Sequence, residues 1–98
     1  MKLIAAGLID DYLDHGALIV DLRSAEAYQE THIRGAVNIP EEEMENAMSG
    51  LPHHRTIVLY CEHGTTSMAV GRKLSHAGFH VASAIGGIRA YRGRYLIR

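Results

Sequence analysis

Two nearly continuous apolar runs, Ala17-Leu-Ile-Val-Asp-Leu22 and Thr56-Ile-Val-Leu-Tyr60, constrain this chain more than any other feature. A strand with one face in water alternates apolar and polar residues. A strand covered on both faces, as in a parallel sheet, does not need to alternate. Ala36 to Ile39 and His80 to Ala84 read as further short strands. Helical patterns fill the intervals. Leu8, Ile9, Tyr12 and Leu13 share one helical face, and Gly16 stands where a helix-terminating glycine belongs. Ser24 is placed to cap a short helix running through Gln29. Pro40 opens another, with Glu41, Glu42 and Glu43 in its first turn, where negative charge complements the dipole. Met44, Ala47 and Met48 are its apolar face and Gly50 its end. A longer helix is expected to begin at Ser67, to bury Val70, Leu74 and Ala77, and to stop at Gly78. Gly86-Gly87 makes a turn before a last short helix around Ile88 to Arg92.

Strands alternating with helices imply an α/β fold with a mostly parallel sheet and right-handed connections. The 98 residues are one domain's worth, spanning 1–98. At this size folding buries roughly 60–65% of the surface that the unfolded chain exposes. With 47% hydrophobic residues, a core without disulfides is feasible. A formal charge of −1 gives no support for nucleic acid or an anionic membrane as the main partner. Arg89, Arg92, Arg94 and Arg98 gather near the C-terminus, either as an anion-attracting patch or, more ordinarily, as a solvated surface run. The apolar stretch before Asp10 is too short for a signal peptide or a membrane span, so the expected compartment is cytoplasmic. Monomer is the default for such a domain.

Ligands in open α/β sheets bind beyond the C-terminal ends of the strands. Three loops qualify, those after Leu22, Tyr60 and Ala84. The second carries the one cysteine, which excludes an internal disulfide and a CxxC pair. In Tyr60-Cys-Glu-His-Gly-Thr-Thr-Ser67 a thiol follows a buried strand and precedes a helix. Cys61 to Thr66 must turn the chain around it, and Gly64 supplies the conformational freedom. A loop curled around the sulfur points its N–H groups inward as an anion-binding nest, and the helix N-terminus adds more. Both favour a thiolate, and both would hold a persulfide or an oxyanion at Cys61. The structural alternative is a buried strand-end cysteine.

Around Cys61, Glu62, His63, Gly64, Thr65, Thr66 and Ser67 are candidates for substrate contact. His63 could tune the thiolate or be an exposed loop histidine, and Ser67 could cap the helix. Arg23, at the same sheet edge, is placed to balance an anionic substrate or to pair locally with Glu26. Asp21 is expected to tie down a neighbouring loop. His53 and His54 show no metal-ligand spacing, and neither a metal nor a cofactor is expected.

Over nearly its whole length the sequence resembles the rhodanese homology family. Leu18-Ile-Val-Asp-Leu-Arg-Ser24, with Glu26, Tyr28 and His32-Ile-Arg-Gly-Ala-Val-Asn-Ile-Pro40, is similar to the family's first signature. Ile57-Val-Leu-Tyr-Cys61, with Gly64 and Ser67, is similar to its active-site strand and loop. Ile85-Gly-Gly-Ile-Arg-Ala-Tyr91 is similar to its terminal glycine-pair signature. The loop most resembles that of small single-domain bacterial thiosulfate sulfurtransferases. The resemblance implies a five-stranded, mostly parallel sheet flanked by helices on both faces, with Cys61 as a persulfide site. It implies a sulfurtransferase taking sulfane sulfur from thiosulfate or a persulfide and passing it to cyanide or a thiol. A sulfur-carrier module loaded by a relay partner is the alternative. Phosphatases and arsenate reductases on the same sheet use a longer loop ending in arginine, and Thr66 and Ser67 stand at those positions here. Three departures from the family are plain. The Cys61 loop has no basic residue, Thr31 stands where glycine is usual, and Tyr91 stands where tryptophan is usual.

Overall fold

A computed structural model describes residues 1–98. Its main sheet has five strands: β1 (Lys2–Ala5), β2 (Leu18–Asp21), β4 (Val37–Asn38), β5 (Ile57–Tyr60) and β6 (Val81–Ile85). Their spatial order is β1-β6-β5-β2-β4, and every neighbouring pair is parallel. The helices are α1 (Ile9–Asp14), α2 (Ala25–Glu30), α3 (Met44–Ala47) and α4 (Thr65–His76). A second, antiparallel ribbon joins β3 (His32–Ile33) to β7 (Leu96–Ile97). No helix is long and apolar enough to cross a membrane.

The period of two along each strand sorts side chains into two cores. Val58 and Tyr60 of β5, Ile19 of β2, and Ala82 and Ala84 of β6 face one side, where Ile9 of α1 and Ile33, Ile88 and Tyr91 cover them. Ile57 and Leu59, Val20 and Val81 face the other, against Met44 of α3 and Val70 and Leu74 of α4. All four residues of β5 are fully buried, because the central strand has a helical layer on each face. This is why its sequence shows no alternation.

Three strands are absent from the pattern read in the sequence, β1, β3 and β7. Lys2–Ala5 buries only Ile4, so a single inward residue was all the signal it carried. Leu96–Ile97 is half-buried and pairs for two residues only. The segment after Pro40 is helical throughout, but as a 3-10 turn at Glu41–Glu43, a single α turn, and a second 3-10 turn at Met48–Gly50. Of its expected apolar face, Met44 is buried and Ala47 and Met48 are half-buried. Thr31, in place of the usual glycine, donates its hydroxyl hydrogen to the Ile97 carbonyl and so anchors the C-terminal ribbon. Tyr91, in place of the usual tryptophan, is buried; its hydroxyl donates to Asp10 and accepts the Tyr95 amide. Burial, followed by the Asp10 hydrogen bond, pushes the Tyr91 phenol up to about 12.

Candidate active site

The loops after β2, β5 and β6 meet at one sheet edge, and backbone hydrogen bonds lock them together. Cys61 continues directly from β5 and is 5% exposed. Its carbonyl accepts the Ile88 amide at 2.9 Å, and the Glu62 carbonyl accepts the Arg89 amide at 3.2 Å. Both donors lie in the 3-10 turn Gly87–Ala90 that follows β6. In planar trans peptides, C=O and the next N–H point in opposite directions. The Glu62 and His63 amides are thereby turned away from that turn, toward the inside of the loop.

The approach leaves no room for a side chain on Gly87. Its φ is +62°, and a Cβ there would lie 2.4 Å from the Cys61 carbonyl oxygen. Gly64, at φ +106°, is also closely held, with a Cβ position 2.9 Å from the Gly86 nitrogen. The glycine pair and the loop glycine therefore allow two backbones to touch where side chains would keep them apart.

Within the loop, the Gly64 amide donates to Cys61 Sγ at 3.1 Å and the Ser67 amide donates at 3.4 Å. The amides of Glu62, His63, Thr65 and Thr66 donate to no protein acceptor. Sulfur thus sits in a cradle of backbone donors, two engaged and four free. An ionised sulfur accepts such bonds more strongly than a neutral one. The first turn of α4 contributes part of the cradle, so its unpaired N–H groups and dipole act at the same place.

Helix α4 begins at Thr65, two residues earlier than the sequence pattern suggested, with Gly64 as its N-cap. The loop proper is shorter than Cys61 to Thr66, because a glycine at positive φ can enter a helix directly. Ser67 consequently does not cap the helix. It lies buried in the first turn, donating its hydroxyl hydrogen to the Gly64 carbonyl at 3.0 Å. Its single hydrogen is thereby used, so in the 2.7 Å contact with Ser83 of β6 it is Ser83 that donates. Thr65 and His63 are exposed, and Thr66 is half-buried.

Arg23 does not pair with Glu26. It is buried, its Nε contacts both oxygens of fully buried Asp21 and its Nη2 donates to Oδ2 at 2.8 Å. A buried guanidinium requires a buried counter-charge, and the exposed first turn of α2 offers none. Asp21, expected to fix a neighbouring loop, does so by holding Arg23 and its backbone amide. Nη2 also donates to the Thr31 carbonyl, and Nη1 reaches Glu62 Oε1 at 3.4 Å. Glu62 Oε2 takes Arg89 Nε at 2.7 Å. Burial opposes the charge of Glu62, but hydrogen bonds from Arg89 and then Arg23 outweigh it. They hold the carboxyl below the usual carboxylate range.

Arg89 is the site residue that sequence reasoning missed. Counted only among the C-terminal arginines, it in fact closes the Glu62 clamp from the third sheet-edge loop. The signal available was its place two residues after the glycine pair. Elsewhere, Arg94 lies beside Asp10 and Asp14 at the surface. His53 stacks on Phe79 at 3.9 Å between ring centroids, and no three His, Cys, Asp or Glu side chains converge as a metal site.

The comparisons with known proteins fall on this frame. The rhodanese-like domain model matches residues 5–94. A tRNA sulfurtransferase of Desulfurococcus amylolyticus is 33% identical over 82 residues, covering 84% of this chain and 16% of that protein. The thiosulfate sulfurtransferase GlpE of Coxiella burnetii is 28% identical over 79 residues, covering 80% of this chain and 74% of that one. The putative sulfur carrier protein YrkF of Bacillus subtilis is 32% identical over 82 residues, covering 83% and 44%. This chain therefore spans only a fraction of the first and less than half of the last. Among solved structures, a rhodanese-related protein of Thermoplasma volcanium superposes with a TM-score of 0.91 over 99% of this chain and 98% of its own, at 22% identity, a likeness of fold. The parallel five-stranded sheet and the family model, which takes in all three sheet-edge loops, converge on one assignment: the chain belongs to the rhodanese-like domain family.

Proposed function

We propose that this chain is a sulfurtransferase in which Cys61 accepts a sulfane sulfur, holds it as a persulfide and passes it to a thiophilic acceptor. The observation that carries the reading is the cradle: two amides on Sγ and four more in the same loop without a protein partner. In the first half-reaction Cys61 thiolate attacks the outer sulfur of a donor. The bond from that sulfur to the rest of the donor breaks, and sulfite leaves from thiosulfate or a thiolate from a persulfide. The transferred sulfur then carries the negative charge, and the free amides stabilise it without any rearrangement. In the second half-reaction cyanide or a thiolate attacks that outer sulfur and Cys61 thiolate is restored. Covalent catalysis of this kind gives ping-pong kinetics and needs neither metal nor general base, since a thiolate is already nucleophilic. Thr65, Thr66, Ser67 and His63 border the cradle, and Gly64 shapes it.

Intact-mass spectrometry tests the reading. Incubation with thiosulfate or an alkyl persulfide should add one sulfur to the protein, and cyanide should remove it. Cys61→Ser should neither gain sulfur nor turn over. A Cys61→Ser variant with undiminished sulfur transfer would end the proposal. A second reading, a carrier loaded by a protein partner, is favoured by the Glu62 clamp, which neutralises the cations beside the loop. It expects a thiol that alkylates normally but takes up no sulfur from small donors.

A further inference from the structure

The Cys61 cradle is built from amides, and the guanidiniums of Arg23 and Arg89, on the two neighbouring sheet-edge loops, are both engaged by carboxylates. Asp21 saturates one side of Arg23. Each carboxylate oxygen of Glu62 then takes a different arginine, Oε1 from Arg23 and Oε2 from Arg89. Two guanidiniums and two carboxylates sum to zero. The cleft of about 340 Å³ beside this cluster is lined by Arg23, Thr31, Glu62, Arg89 and also Glu30, which forms no ion pair. The two arginines that line the cleft are thus matched by two glutamates, and with buried Asp21 behind Arg23 the whole cluster sums to −1. Glu62 is the chain neighbour of Cys61, and charges at such sites act over a Debye length of about 8 Å at 0.15 M salt.

We infer that Glu62 is a specificity-determining residue that makes the site select sulfur donors carrying a single negative charge over doubly charged thiosulfate. This rests on the reading of Cys61 as sulfur acceptor. Amides can solvate one negative sulfur in the cradle, whereas a donor with a second full charge on its sulfonate end needs a cation, and Glu62 engages both Arg23 and Arg89. Methanethiosulfonate isolates the point. It has the shape of thiosulfate with a methyl group in place of one charged oxygen. Cys61 thiolate attacks its terminal sulfur, the S–S bond to the sulfonyl sulfur breaks, and methanesulfinate leaves with the electron pair. The persulfide formed is the one thiosulfate gives when sulfite leaves.

The experiment compares kcat and KM for thiosulfate and for methanethiosulfonate, with cyanide as acceptor, in the wild type, Glu62→Gln and Arg89→Gln. The wild type should prefer methanethiosulfonate by about tenfold in kcat/KM. Glu62→Gln keeps an acceptor for both arginines but removes the charge. It should raise the ratio of kcat/KM for thiosulfate to kcat/KM for methanethiosulfonate by about fivefold, chiefly through the KM for thiosulfate. Arg89 is largely exposed, so its replacement leaves the core alone, and it should shift the ratio the opposite way by exposing the Glu62 charge. Added salt should shrink all three differences. A wild type indifferent to the two donors, or a ratio that the two variants do not move in opposite directions, overturns the inference and leaves sulfur transfer intact. If neither donor loads Cys61, the small-donor reading falls and takes this one with it.

Discussion

At Gly87 a single hydrogen decides whether two loops can touch. Alanine there would place a methyl group on the Cys61 and Glu62 carbonyls and hold an L-residue at φ +62°. The left-handed conformation and the overpacking together should cost about 2–4 kcal/mol, read as a lower urea midpoint with an unchanged slope. Sulfur uptake should fall as well, because moving the Ile88 and Arg89 amides releases the carbonyls that turn the loop's N–H groups toward sulfur. Normal stability and sulfur uptake in Gly87→Ala would show that the loop is set by α4 alone. At the same scale Tyr60 stays neutral because burial pushes its phenol far up, outweighing the opposite pull of the Ile33 amide that its oxygen accepts.

Among the elements, the Glu62 clamp joins all three sheet-edge loops, and its contribution depends on pH. The folded carboxyl titrates below its unfolded value, so the unfolded chain binds the proton more readily and stability rises with pH. The contribution is complete above the ordinary glutamate range, about 4.3, and is lost as pH falls through the lower folded value. Glu62→Gln should therefore flatten part of the acid limb of a stability–pH curve measured by urea unfolding. An identical limb would mean that the two ion pairs contribute nothing measurable, as many exposed pairs do not. Elements also differ in how well their residues announced them. The central strands were plain in the apolar runs, and the cysteine loop was plain because a strand, a thiol, a glycine and a helical pattern follow in order. The edge strand Lys2–Ala5 was not, since one buried residue makes no pattern. The Arg23–Glu62–Arg89 cluster was not legible either. Its members are far apart in the chain, and charge pairing is a property of the folded edge. Arg23 with Glu26 was the nearest local partner, and burial overruled it.

Across the whole molecule, Tyr91 fastens the C-terminal segment to α1 through Asp10 and to Tyr95 through its accepted amide. Its phenol is raised from the ordinary value near 10 to about 12. The stability this represents is fully present below pH of about 10 and is lost as pH rises toward 12. Tyr91→Phe should remove part of the alkaline slope. At neutral pH it should cost about 1–3 kcal/mol, because Asp10 and the Tyr95 amide lose a partner. For a chain this size each kcal/mol lowers Tm by roughly 4–8 °C, which thermal unfolding resolves. The pairing of Ile4 with Ala84 has a consequence of another kind. During synthesis β2 can meet β5 once Tyr60 has emerged, but β1 must wait, uncommitted, until β6 has been made. Partnerships so distant along the chain form slowly. A nascent chain halted before β6 would hold the thiol strand yet lack the glycine turn that shapes its loop, so the candidate site takes shape only once the segment after β6 has been made.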